Sequence, residues 1–234
     1  MTSDVELPVL PHAPDLQGAS VGQGVTEYIR HLILTGHFRA GDRPRVEHLA
    51  AQLRISVTTV REALVELLGE GFVERRPRRG YIVAELTRSG FEDRVLVLAM
   101  VTGELAARAA RVMGPDLVAS LTGLQTSLRK LDRSGSRDAA ESVNHKFHCT
   151  INIAAASPEL AWIAERFARY VPRYPGQSAD SRPRSCSYDH ASVLTALEGR
   201  ALEAAREAKF SHLVESGKTL GDELAGLGLW APVV

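Results

Sequence analysis

Three histidines and an asparagine are spaced so that they could share one ligand site. Between Arg137 and Ala156 the residues Ala140, Val143, Phe147, Ile151 and Ala154 recur at helical spacing, and Asn144 and His148 fall inside that apolar stripe at i, i+4. His190 heads a second stripe with Val193, Leu194 and Leu197, and His212 shares a column with the small residues Ala201, Ala205 and Ala208. An unpartnered polar group in an apolar interior costs roughly 2–7 kcal/mol, so inward-facing imidazoles and an amide need partners. Imidazole nitrogens and an amide oxygen are ligands for a divalent transition ion, zinc first, with nickel and manganese as the other candidates, and they leave positions for exchangeable ligands. The competing reading is that each histidine is a core residue satisfied by a backbone carbonyl, because periodicity alone does not bring three segments together. His145 and Cys149 adjoin the candidate ligands but are turned about 100° off their column and read as peripheral. Asp189 reads as a helix N-cap ahead of any role in orienting a histidine.

A different chemistry sits in the N-terminal third. From Gly24 to Arg88 the chain holds eleven arginines, eight acids and no lysine, an excess of three positive charges; the residues before it hold three acids and no Lys or Arg, and those from Ser89 onward hold seventeen charges of each sign. The overall balance of 28 Lys+Arg against 28 Asp+Glu therefore conceals an arginine-rich segment suited to nucleic acid. Within it Ser56 fits a helix N-cap, and the residues that follow have the types that read a major groove. Thr58 and Thr59 suit a phosphate or a thymine methyl, and Arg61 suits bidentate pairing with guanine. Arg43 is placed for the phosphate backbone, and Arg79 and Gly80 form a basic turn suited to a minor groove. Taken singly, each arginine is also explained by a general preference of this chain for arginine over lysine.

The elements that must position these residues follow from the apolar pattern. Helices are expected over Val25–Thr35 and Val46–Leu53 and from the Ser56 cap to Gly69, with Val60, Ala63, Leu64, Leu67 and Leu68 on the buried face. Short strands Phe72–Arg75 and Tyr81–Ala84 flank the turn Arg76–Gly80. From Ser89 no strand pattern competes, and breakers such as Gly114-Pro115 and Ser157-Pro158 divide six helices: about 89–113, 115–132, 137–156, 158–170, 187–199 and 201–226. The stretch 171–187, with three prolines, is either a lid or a loose connection. The expected fold is mainly α: an N-terminal winged helix-turn-helix of three helices plus a β-hairpin wing, and a C-terminal all-α antiparallel helical bundle. The expected division is a flexible arm over 1–22, a DNA-binding domain over 23–85, a linker over 86–90 and a ligand-binding domain over 91–227.

Composition agrees with this division. A chain of 234 residues holds two domains comfortably, and 44% hydrophobic with 24% charged excludes a disordered, collagen-like or disulfide-stapled chain. Two cysteines, Cys149 and Cys186, lack C-x-x-C spacing and fit a reducing cytoplasm. No apolar run approaches the roughly 20 residues of a membrane span, and the first twenty residues lack the basic and apolar regions of a secretory signal.

The run Gly41-Asp-Arg43, Leu49-Ala-Ala-Gln-Leu53, Ser56-Val-Thr-Thr-Val-Arg-Glu-Ala-Leu64 and Glu70-Gly-Phe-Val-Glu-Arg-Arg-Pro-Arg-Arg-Gly80 resembles the winged helix of GntR-family transcription regulators. Val57 stands where that family usually has arginine and Thr59 where it has proline, which implies an altered operator preference. The helical half is similar to the FCD ligand-binding domain of the FadR branch, in its smaller VanR-like six-helix form. There an Asp-x3-His helix is followed by a His near the start of the next-to-last helix and another in the last; Asn144-His-Lys-Phe-His148, His190 and Phe210-Ser-His212 match, with Asn144 in the place of the aspartate. The resemblance implies a homodimer that binds an inverted-repeat operator in double-stranded DNA. It also implies a divalent metal held by Asn144, His148, His190 and His212, and a small effector, a carboxylate in many relatives. An effector-binding arginine on the first bundle helix is part of that pattern, and none falls within Leu96–Leu105. The expected function is a ligand-responsive DNA-binding regulator, a repressor, without enzymatic activity. A metal sensor with no organic effector and a metal-dependent hydrolase are the alternatives.

Overall fold

The computed structural model describes residues 21–170 and 189–230. The expected arm up to residue 20, the stretch 171–187 and Cys186 within it lie outside those residues. Two compact units divide at Arg88/Ser89, with the described residues 224–230 grouped with the first.

The first unit begins with α1 (Val21–Leu34), whose Val25, Ile29, Leu32 and Ile33 are all buried. It starts four residues before the expected Val25, so the last two residues of the expected arm are helical. Gly22 and Gly24 have low helix propensity and hide this turn from a pattern reading, while the Thr26 hydroxyl, 2.9 Å from Glu66 Oε2 and 3.1 Å from the Gly22 carbonyl, ties it to the rest of the unit. Next come α2 (Val46–Leu53) and α3 (Val57–Glu70). Ser56 caps α3 as its position demands: its Oγ accepts from the Thr59 amide at 3.0 Å. Val60, Ala63, Leu64 and Leu67 are buried, but Leu68 is 36% exposed, because a residue at i+8 has turned about 80° from the start of the stripe.

A buried ion pair joins α1 to α3. Arg30 Nε and an Nη of the same guanidinium donate to Glu70 Oε2 at 3.0 and 2.8 Å, and the two side chains are 9% and 5% exposed. The hairpin consists of β1 (Val73–Arg76) and β2 (Gly80–Val83), antiparallel, with Val73 opposite Val83 and Arg76 opposite Gly80. Its turn places Arg78 and Gly80 at φ 62 and 74, and glycine adopts that left-handed region without strain. Gly41 donates to the Val83 carbonyl at 3.0 Å and Val83 to the Asp42 carbonyl at 2.9 Å. The segment before α2 is thereby fastened to β2.

The second unit holds, among the described residues, the six helices α4 (Arg88–Val112), α5 (Pro115–Arg133), α6 (Arg137–Ala154), α7 (Pro158–Ala168), α8 (Ala191–Glu198) and α9 (Leu202–Gly226). Because α4 starts at Arg88, residues 88–90 of the expected linker are helical. Pro115 and Pro158 open their helices, where the missing amide hydrogen costs nothing. The next-to-last helix begins at Ala191, later than the expected 187, and its N-cap position is held by His190 and not by the expected Asp189; from one residue further out, Asp189 Oδ1 accepts from the Ala191 amide at 3.1 Å. The core joins Ala106, Ala109 and Ala110 of α4 to Phe147, Ile151, Val193 and Leu197. Small residues also let α9 approach α4 closely: a Cβ on Gly217 would lie 2.3 Å from Val95 Cγ1.

Candidate functional site

His148 on α6, His190 at the head of α8 and His212 on α9 converge, with one ring nitrogen of each within 4.8 Å of the other two. The ring centroids are 4.9 Å apart for His148 and His190, 4.6 Å for His190 and His212, and 5.4 Å for His148 and His212. Phe147 stacks on His190 at 4.2 Å and 14°, so an aromatic wall holds that ring flat. Its tautomer is set from behind: Gln125 Oε1, on α5, lies 2.6 Å from His190 Nδ1. An amide oxygen only accepts, so Nδ1 carries the proton and Nε2 presents a lone pair. That Nε2 is buried and without a hydrogen-bond partner.

All three imidazoles are held neutral. Burial pushes His190 down to about 2 and His212 to about 4, and it holds His148 well below the usual histidine range; the nearby Lys209 ammonium adds to each shift. Asn144, one turn before His148, is 8% exposed, and its Oδ1 is a second buried acceptor with no partner. Asn144, His148 and His212 line a cavity of about 120 Å³ whose apolar wall includes Val95, Leu98 and Leu220. Neutral imidazoles with an orphaned nitrogen and an orphaned amide oxygen are the donor chemistry a divalent transition ion requires. The triad is consistent with a metal site.

Lys209 is the residue that periodicity did not single out. It lies three residues before His212 on α9 and is completely buried, and its Nζ donates to His148 Nδ1. Desolvation pulls its amine down to about 7. The signal was present: Lys209 stands at i+4 from Ala205 and i−3 from His212, on the inward column, but lysine at such a position is usually solvated. Gln125 was missed as well, because nothing local marks one glutamine of α5 as the partner of a histidine 65 positions away.

The winged-helix residues lie on the surface of their own unit. Thr58, Arg61, Arg43, Arg79 and Gly80 are exposed, and Thr59 is half-buried. Arg61 is 3.9 Å from Glu47 across α2 and α3, an ion pair open to solvent on both sides. The Thr59 hydroxyl shares a 2.8 Å hydrogen bond with Ser56 Oγ and so also serves the cap. Arg43 sits beside the wing, its guanidinium 3.9 Å from where a Cβ of Gly80 would be.

Comparison with known proteins places both units. The family description "Bacterial regulatory proteins, gntR family" matches residues 22–83, and "FCD domain" matches residues 95–215, more than half of the chain. The chain belongs to the GntR family, with an FCD domain. This family comprises DNA-binding transcription regulators and not enzymes. The HTH-type transcriptional regulator McbR of Escherichia coli K12 is 24% identical over 167 residues, 71% of this chain and 75% of McbR. Two uncharacterized HTH-type regulators of Mycobacterium tuberculosis are 29% identical over 160 residues, 68% of this chain and 64% of their own length. The chain thus spans just under two thirds of those mycobacterial relatives. The solved structure of E. coli McbR/YncC shares the fold with a TM-score of 0.60 at 21% identity, covering 90% of this chain and 98% of that one. Lar, described as controlling the expression of the Listeria monocytogenes agr system, gives 0.56 at 16%, covering 86% and 97%.

Arg94, just before the segment Leu96–Leu105 of α4, lies 4.2 Å over the Tyr170 ring and donates to the Gly90 carbonyl at 2.8 Å. Among the described residues that line the cavity, Lys209 is the one Lys or Arg. No helix among the described residues is long and apolar enough to cross a membrane.

Proposed function

We propose that this GntR regulator is a homodimeric repressor whose bundle senses a small carboxylate through a divalent ion. The observation that carries this reading is the neutrality of the donor set: three imidazoles and the Asn144 amide, with Lys209 behind them. His148, His190 and His212, with Asn144 Oδ1, would hold the ion, zinc first, which supplies a Lewis-acidic point for a carboxylate oxygen. None of these donors cancels the charge of a cation, so the ion itself would keep its full charge for a carboxylate oxygen. Its volume of about 120 Å³ approaches that of an engineered cavity that accommodates benzene, about 150 Å³, which limits the effector to a small molecule.

On the DNA side, Arg61 and Thr58 would read base edges, Arg43, Thr59 and Arg79 would engage phosphates, and Gly80 would let the wing backbone approach the groove. An excess of only three positive charges on the winged-helix segment gives one copy few phosphate contacts, and pairing two copies on an inverted repeat doubles them. Leu96 and Met100, 45% and 60% exposed at i, i+4 on α4, offer an apolar strip for that pairing. Residues 85–90 would carry the effector's signal to the winged helix.

Operator affinity measured by fluorescence anisotropy tests the proposal. Chelated full-length protein is titrated with operator DNA, then re-titrated with Zn2+ alone, then with Zn2+ and a panel of small carboxylates. A shift of tenfold or more that needs both ion and carboxylate is expected. A full shift on Zn2+ alone identifies a metal sensor, and no shift under any condition overturns the proposal.

A further inference from the structure

The face of α6 beside the triad carries a second donor set that the first site does not use. Glu141, His145 and Cys149 follow one another at i, i+4 and i+8, and Glu165 reaches the same place from α7. His145 Nε2 lies 3.3 Å from Cys149 Sγ. One ligand atom from each of His145, Cys149 and Glu165 lies within 4.8 Å of the other two. In a tetrahedral site with a metal–sulfur distance of about 2.3 Å and a metal–nitrogen distance of about 2.05 Å, the sulfur–nitrogen edge is about 3.6 Å. The thiol and the imidazole therefore already stand close to the spacing that a shared ion would impose.

We propose that His145, Cys149 and Glu165 form a second metal site, distinct from the histidine triad, for a borderline or soft divalent ion such as zinc, cobalt or cadmium. A sulfur and an imidazole nitrogen disfavour magnesium, calcium and manganese, which take oxygen donors. The Cys149 thiol gives up its proton to solvent when the ion binds, and sulfur then forms the metal bond as the thiolate. His145 and Cys149 lie at i, i+4, the spacing that stacks two side chains on one helix face. They are turned about 100° from the Asn144–His148 column, toward α7, while the triad is completed by α8 and α9. Both donor sets contribute walls to the same cavity, with His145 and Cys149 half-buried and Glu165 exposed, so the second ion would exchange with solvent more readily than one in the triad. Glu141 also lines that cavity, one turn before His145.

Cobalt substitution tests the site, because a thiolate bound to Co2+ gives a sulfur-to-metal charge-transfer band in the near ultraviolet that imidazole and carboxylate ligands do not. Tag-free full-length protein is titrated with Co2+ alone. The band should correspond to one thiolate-bound ion per chain beyond any ion that the triad takes up, vanish in Cys149→Ser and persist in Cys186→Ser. His145→Gln should weaken the ion responsible by at least the roughly 10- to 100-fold that losing even an outer-shell partner costs, and this variant keeps the test decisive if Cys149→Ser does not fold. The double variant His148→Ala/His190→Ala should keep the band. No band in the wild-type protein at saturating Co2+, or a band that survives Cys149→Ser, overturns the proposal. Loss of the band in the triad double variant overturns it as well, since Cys149 would then serve the triad's ion. Failure of the triad to bind metal would remove only ions without a thiolate band, so the two sites are judged separately.

Discussion

Gln125 and His190 are 65 residues apart in sequence, and their side chains meet at 2.6 Å in the interior of the bundle, where both are buried. The glutamine oxygen accepts from Nδ1, which leaves Nε2 free to bind and fixes the plane of the ring against Phe147. A ligand set of this kind depends on its supporting hydrogen bond nearly as much as on the ligand itself.

Gln125→Leu should therefore lower the affinity of the triad for Zn2+ by roughly 10- to 100-fold with all three histidines in place. Competition against a chromophoric chelator measures it. Unchanged affinity would mean that His190 is oriented by its stacking on Phe147 alone.

Lys209 should impose a pH dependence on the stability of the bundle. Its amine is pulled from 10.5 to about 7 in the fold, so between pH 7 and 10.5 the unfolded chain binds a proton that the folded chain does not. Stability then rises with pH across that window, and the full penalty, on the order of a few kcal/mol, is present below pH 7. The histidines act in the same sense at lower pH: His212, at about 4 in the fold against 6.5, removes stability as pH falls from 6.5 toward 4. Denaturant melts of chelated protein should show Lys209→Met to be more stable than wild type at pH 7 and nearly equal to it at pH 10.5. A wild-type curve that is flat from pH 7 to 10 would contradict the placement of this amine.

The Arg30–Glu70 pair should behave as a buried ion pair. Arg30→Met removes the guanidinium that faces a carboxylate 5% exposed and should cost roughly 3–5 kcal/mol, whereas the double variant Arg30→Met/Glu70→Leu should recover most of the loss. Chemical denaturation of the two variants separates the pair's own contribution from the cost of stranding one charge.

Arg61→Ala should weaken operator binding by roughly 1–3 kcal/mol and binding to random duplex far less. The Glu47 partner is 76% exposed and Arg61 is 61% exposed, so little stability is lost with the ion pair. Anisotropy titrations on both duplexes measure the difference, and equal losses on both would make Arg61 a phosphate contact.

The winged-helix unit was the more legible half, and the reason is local. Ser56, the stripe Val60–Leu67 and the Arg76–Gly80 turn each act within a few residues of themselves, so spacing and residue type suffice to place them. The differences fall where neighbours decide: α1 gains a turn across two glycines because Thr26 ties it down, and Leu68 leaves the core because the stripe drifts around α3. In the bundle, the inward direction of Asn144, His148, His190 and His212 also followed from periodicity.

What the amino-acid order determined by itself was which side chains face inward and which segment carries the excess of arginine. Helical phase depends only on residues three and four apart. Only the tertiary structure decided that three inward histidines from α6, α8 and α9 share one space, that Gln125 sets the tautomer of one of them, and that the amine in the cavity belongs to Lys209. Those relationships join positions tens of residues apart, and they depend on how close small residues such as Gly217 allow the helices to come. Burial then gives the same donors their chemistry, since an imidazole or an amine is held neutral by the interior that surrounds it.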